Sequence, residues 1–123
     1  MPVDGLSFGD LTIEAVDGGQ GPVQLFWSGK SADRYPARIL GPYFTAVLGQ
    51  AARRRAIVEL HFERLEHFNS STVTAIIQVI QEARAANVKL VIVFDQARKW
   101  QKLSFDALRV FVKGDDLLQI RSI

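Results

Sequence analysis

The stretch AIVELHFERLEHFNSSTVTAIIQVIQEARAANVKLVIVF, residues 56–94, decides how this chain folds. It opens on Ala56 to Phe62, where Ile57, Val58, Leu60 and Phe62 supply the apolar bulk of a strand. It closes on Val88 to Phe94, nearly all apolar, as suits a strand buried on both faces of a mixed or parallel sheet. Between them, from Ser70, the period changes to that of a helix. Val73, Ile76, Ile77, Ile80 and Ala83 share one face, and Thr74, Gln78, Gln81 and Glu82 the other. Asn87 suits a left-handed cap, because asparagine tolerates positive φ better than most residues. Strand, helix and strand with such short joins imply a right-handed crossover. Strands 56–62 and 88–94 are therefore predicted to be adjacent and parallel, with helix 70–86 across one face. The core expected from this packing is Ile57, Leu60, Val73, Ile77, Ile80, Leu90 and Ile92.

Upstream, Phe8 to Val16 alternates imperfectly, with Phe8, Leu11, Ile13 and Ala15 among polar neighbours. The run Asp17-Gly18-Gly19-Gln20-Gly21-Pro22 then reads as a hairpin turn into a second strand, Val23 to Trp27, ended by Ser28-Gly29. It is not a phosphate loop, which would end in Gly-Lys-Ser/Thr and open a helix. Gly29-Lys30-Ser31 lacks the upstream glycine at the required spacing. From Pro36 to about Arg54, Ile39, Leu40, Tyr43, Phe44, Val47, Leu48 and Ala51 recur at helical spacing. Gly41-Pro42 leaves two readings, a helix kinked there or one that starts at Pro42. Downstream of Asp95, Trp100, Leu103, Ala107, Leu108 and Phe111 form another helical stripe, unless Ser104 caps a shorter helix. Gly114 ends it, and Leu117 to Ile120 makes a last short strand. The expectation is a single α/β domain over residues 1–123. It has a mixed sheet of about five strands and three main helices, in the order β-β-α-β-α-β-α-β.

The composition narrows function mainly by exclusion. The chain has 123 residues, 48% hydrophobic and 23% charged, an ordinary globular balance with room for one core. It has no cysteine, hence no disulfide, thiolate metal site or cysteine nucleophile. Met1-Pro2-Val3-Asp4 has neither a basic region nor an apolar stretch, so no signal peptide is expected. The longest apolar run, Leu90 to Phe94, is too short for a bilayer. The cytoplasm is the expected location. The net charge is only +2, and the basic cluster Arg53-Arg54-Arg55 falls where cations complement the end of a helix dipole. No basic stripe with interleaved aromatics accompanies it, so no nucleic-acid partner is expected. His61 and His67 lack the spacing of a metal pair on one helix. Glu59, Glu63 and Glu66 form no acid/base pair on a shared element, and no serine sits in a glycine-flanked elbow. Neither catalysis nor a cofactor is expected.

One motif stands out: Leu65-Glu66-His67-Phe68-Asn69-Ser70-Ser71-Thr72. Two apolar residues in what reads as a linker precede four small hydrogen-bonding residues at a helix start. Asn69 or Ser70 is the N-cap, with Phe68 or a neighbour as a hydrophobic staple. One cap would satisfy that need; four such residues exceed it.

The stretch Ala56 to Phe94 resembles the STAS domain family, which includes the bacterial anti-sigma-factor antagonists. In that family a strand runs into a linker ending in Asp-Ser-Ser-Gly at the second main helix. Asn69 falls on the Asp, Ser70 on the phosphorylated serine, Ser71 on the second serine and Thr72 on the glycine. Asn69 and Thr72 depart from the pattern. That version, together with Lys99 to Leu108, looks closer to a divergent branch of small single-domain STAS-like bacterial regulators. The resemblance implies a protein-binding switch controlled by phosphorylation at Ser70, with Ser71 the alternative acceptor. Phe68, Asn69, Ser70, Ser71 and Thr72 would form the partner-binding surface. The implied partners are an anti-sigma-type serine kinase and a metal-dependent protein phosphatase that resets the switch, and the resemblance leaves room for a homodimer. The physics is coherent, because phosphorylation adds roughly −1.5 to −2 charges where the helix dipole tolerates them. A scaffold subunit of the same fold without phosphorylation, or a small ligand-binding domain, are the rival readings.

Overall fold

The computed structural model describes residues 2–123. A three-residue strand β1, Leu6–Phe8, turns through Gly9 into β2, Leu11–Val16, and β2 turns through Asp17–Pro22 into β3, Val23–Ser31. Helix α1 spans Ala37–Arg54, followed by β4, Val58–His61, and β5, Leu65–Phe68. Helix α2 is Ser70–Ala85, β6 is Leu90–Phe94, α3 is Lys99–Leu108 with a 3-10 turn at Arg109–Phe111, and β7 is Leu118–Ser122. These form one mixed sheet in the order β1-β2-β3-β4-β6-β7, with β5 beside β3. The β1–β2 and β2–β3 pairs are antiparallel; β3–β4, β3–β5, β4–β6 and β6–β7 are parallel. β4 and β6 are therefore parallel neighbours joined through α2, and β6 is internal.

The sheet has seven strands where about five were expected, for two reasons. Gly9 at φ 55 folds the first segment into a hairpin of its own. The supposed linker Leu65–Phe68 stays extended, because its backbone pairs with the end of β3, Gly29 to Ser31. The register slips between Gly29 and Lys30, where Gly29 takes φ 80 and a Cβ would strike the Asp10 carbonyl.

Register divides the sheet into two unlike faces. Ile13, Trp27, Leu25, Leu60, Ile92 and Ile120 point to one face and join the main core with the buried residues of all three helices. On the other face Glu14, Phe26, His61, Val93 and Arg121 form a transverse row. Val91 and Val93 lie outside the main core yet are buried, flanked by Glu59 and His61 on β4 and Gln119 and Arg121 on β7. β6 is thus buried on both sides, as its composition requires.

Leu60, Ile80, Leu90 and Ile92 are core residues as expected, while Val73 and Ile77 pack at its margin. Ile57 is exposed because β4 starts one residue later. The buried face of α2 is rotated toward Thr72, Ala75, Ile76, Val79, Ile80 and Ala83. Helix α1 starts after Pro36 and runs through Pro42, resolving the earlier alternatives in favour of the longer helix. Asn87 takes φ 57 just past α2. The Arg53–Arg55 cluster does end α1: Arg55 is left-handed, and Arg54 reaches Asp17 at 2.9 Å. That Arg54 hydrogen bond holds the Asp17 carboxyl well below the usual carboxylate range. The Val3 and Gly19 amides add to the effect, at 2.7 and 3.0 Å, against an opposing contribution from burial. This latch ties the N-terminal segment, the hairpin turn and the end of α1 together.

The stripe read on helix α3 faces inward only in part: Leu108 is buried and Trp100 and Phe111 pack against the core, but Leu103 and Ala107 face solvent. Gln101 and Phe105 are buried beside Leu108. The cause is aromatic packing: Phe105 stacks on Phe94 at 5.4 Å and also meets Phe62 and Phe68.

Candidate functional site

The start of α2 is built by three pieces of chain. β5 leads straight into Asn69, whose N–H donates to the Ser31 carbonyl at 3.0 Å, so the helix starts against the end of β3. Asn69 is the N-cap, with φ −92 and ψ 174. Its Oδ1 accepts from the Thr72 N–H at 2.9 Å and from the Thr72 hydroxyl at 2.8 Å. Its Nδ2 donates to the Asp33 carbonyl at 2.9 Å, pinning the segment between β3 and α1 beside the helix tip. A single side chain thus satisfies an orphan amide and fastens the neighbouring loop.

Thr72 is fully buried, and its Oγ1 lies 2.7 Å from the Ser31 hydroxyl, itself buried. The Thr72 and Ser31 hydroxyls therefore form a closed polar chain ending on Asn69 Oδ1. A threonine at this place contributes a buried tie to β3 that a glycine could not. Phe68 is also buried, edge-on to Trp100 at 5.1 Å.

The five residues expected to form one surface therefore separate. Phe68 and Thr72 face inward and support the tip; Asn69 and Ser71 are half-buried; Ser70 is exposed. Among the described residues, neither the Ser70 nor the Ser71 hydroxyl has a hydrogen-bonding side-chain or backbone partner, so the cap is Asn69 and not Ser70. Around Ser70 the exposed surface includes Glu66, His67 and Thr74, while Tyr35, at 64% exposure, projects from the pinned loop. The loop's part could not be read from the sequence, since Asp33 and Asn69 are far apart in the chain and meet only through the β3–β5 pairing.

The start of α3 braces the same tip from behind. Gln101, fully buried, donates from Nε2 to the carbonyls of Phe62 and Leu65, at 2.7 and 3.1 Å. Its Oε1 accepts from the Asp95 N–H at 2.8 Å. Arg98 donates to the Leu65 carbonyl at 2.7 Å. These bonds hold the bend between β4 and β5. The only sequence signal was a glutamine flanked by a tryptophan and a lysine, which reads as surface.

Neither protein-family models nor curated proteins match this sequence. A solved structure does. One chain of the crystal structure of the diguanylate cyclase SiaD in complex with its activator SiaC, from Pseudomonas aeruginosa, matches with a TM-score of 0.68 at 16% identity. The match covers 97% of this chain and 98% of that one. The likeness is one of fold, a mixed α/β arrangement.

The two histidines occupy unlike places. His61 stacks on Phe26 at 4.4 Å, with its ring nitrogens 2.9 and 3.2 Å from Glu59 and Glu63. Burial raises the Glu59 pKa, but the His61 and Gln24 hydrogen bonds outweigh it and leave it below the usual value. His67 is exposed near Trp100. Among the described residues no set of three or more His, Asp or Glu is arranged to hold a metal ion, and no helix is long and apolar enough to cross a membrane.

Proposed function

We propose that this protein is a cytoplasmic STAS-like regulatory domain that binds a protein partner through the α2 tip and is switched by reversible phosphorylation of Ser70, with Ser71 the alternative acceptor. The carrying observation is the division of labour at that tip. Asn69 caps the helix, so the exposed Ser70 hydroxyl is spare and sits beside the positive end of the helix dipole. A phosphate there adds about two negative charges without removing any bond that holds the fold. A partner surface fitted to the neutral tip would have to bury that dianion, which weakens the complex. The use of a similar fold in a complex of an enzyme with its activator supports the protein-binding part of the reading. The partner in this proposal is a serine kinase of the anti-sigma type, with a metal-dependent phosphatase as the resetting enzyme. The domain itself is proposed to catalyse nothing and to need no cofactor.

The test is intact-mass and fragment analysis of the chain isolated from its own cells, alongside binding by Ser70→Asp and Ser70→Ala variants. A single phosphate on Ser70, lost in Ser70→Ala, is the expected result, with Ser70→Asp folded but weak in partner binding. An unmodified chain whose two variants bind like the parent would leave the scaffold reading in its place.

A further inference from the structure

Outside the α2 tip, the most unusual surface runs along the outer side of α3. Leu103 is 78% exposed and Val110 77%, with exposed Ala107 between them; positions 103, 107 and 110 follow helical spacing into the 3-10 turn. The ridge is no product of loose packing. The inward side of the same helix is fastened by Gln101, Phe105 and Leu108, so these apolar side chains project from a rigid support. Trp100, half-buried at the head of the ridge, touches Phe68 immediately before the α2 cap.

Charge around the ridge is lopsided. Residues 98–113 hold five cations against Asp106; Arg98 and Arg109 are turned to the Leu65 and Ile120 carbonyls, which leaves Lys99, Lys102 and Lys113 as the basic rim. Asp106 is shared by Lys102 at 2.6 Å and Arg109 at 3.0 Å. An apolar strip bordered by cations fits a complementary surface with an apolar centre and an acidic rim. A second copy of the chain docked ridge to ridge would bring like charges together. A bilayer would gain little from one leucine, one alanine and one valine on a short helix.

We infer that the Leu103–Ala107–Val110 ridge is a docking surface for an acidic-rimmed protein, continuous through Trp100 with the α2 tip. This rests on the protein-binding reading of that tip and adds a second contact to it. The tip sets whether the partner is admitted; the ridge supplies affinity that phosphorylation does not touch.

The test places the photo-crosslinking residue p-benzoylphenylalanine at position 107 of the full chain in its own cells, with a parallel set at position 71. The expected result is a discrete adduct from position 107 to one protein, attached within an apolar patch bordered by Asp or Glu. Its yield should fall at least about ten-fold when Leu103→Glu and Val110→Glu are combined, while that variant melts like the parent. Adducts only to copies of this chain, retention on anionic phospholipid vesicles in place of a protein adduct, or a yield unchanged by the double substitution would overturn the inference. An adduct from position 71 but none from 107 refutes the ridge and leaves the tip standing. An adduct from 107 but none from 71 refutes the tip as a contact and leaves the ridge.

Discussion

Helices α2 and α3 start side by side against β5, yet they are secured in opposite ways. At α2 the cap residue does the work locally: Asn69 accepts from Thr72 two ways and reaches Asp33. At α3 the residue in the cap position, Arg98, makes no capping bond, and the helix is held by Gln101, buried in its first turn. The first arrangement leaves the exposed Ser70 hydroxyl free at the helix tip; the second buries its holding side chain, Gln101, completely. One helix start is thus free to change its chemistry, and the other is committed to holding the frame.

The α3 start depends most on Gln101. Gln101→Leu removes the bonds to Asp95, Phe62 and Leu65 and takes this donor from the two buried carbonyl contacts, a loss of about 2–4 kcal/mol in urea unfolding. A loss below about 1 kcal/mol would show that Arg98 alone suffices to hold the bend.

The partners of Asn69 and of Gln101 include no carboxylate, whereas the Asp17–Arg54 latch between the hairpin turn and α1 is a titratable fastening. The Asp17 pKa is lowered in the folded state, so its stabilisation is complete above the unfolded carboxylate value near ~4 and is lost as pH falls below it. Asp17→Asn should cost about 2 kcal/mol at pH 7 and progressively less toward pH 2. Parallel unfolding curves for variant and parent across that range would assign the acid lability elsewhere.

Thr72→Val keeps the volume and deletes the buried hydroxyl, stranding Ser31 and one acceptor site on Asn69; about 1–2 kcal/mol is expected. Asn69→Ala removes the cap itself and should cost about 1 kcal/mol. Ser70→Ala is expected to change stability by less than about 0.5 kcal/mol, because the hydroxyl holds nothing. Measured in one denaturant series, a Ser70→Ala cost equal to that of Asn69→Ala would erase the distinction between capping and spare residues on which the proposed switch depends.

The crossover 56–94, the hairpin through Asp17–Pro22, the positive-φ residue after α2 and the helix start at the Asn69–Thr72 cluster were legible in the chain alone. Each is governed by neighbours within a few residues: apolar period, turn composition, cap chemistry. What required the tertiary structure was decided by partners far apart in sequence. β5 is a strand only because β3 is long enough to pair with it. Thr72 is buried only because Ser31 waits at the end of β3. Which side of α3 faces inward was settled by Phe105 entering a ring cluster of Phe62 just past β4, Phe68 of β5 and Phe94 of β6, and not by the helix's own count of apolar residues. A periodic pattern reports that a helix has an apolar side. When apolar residues lie on both sides, as Leu103 and Phe105 do here, only the shape of the opposing surface chooses between them.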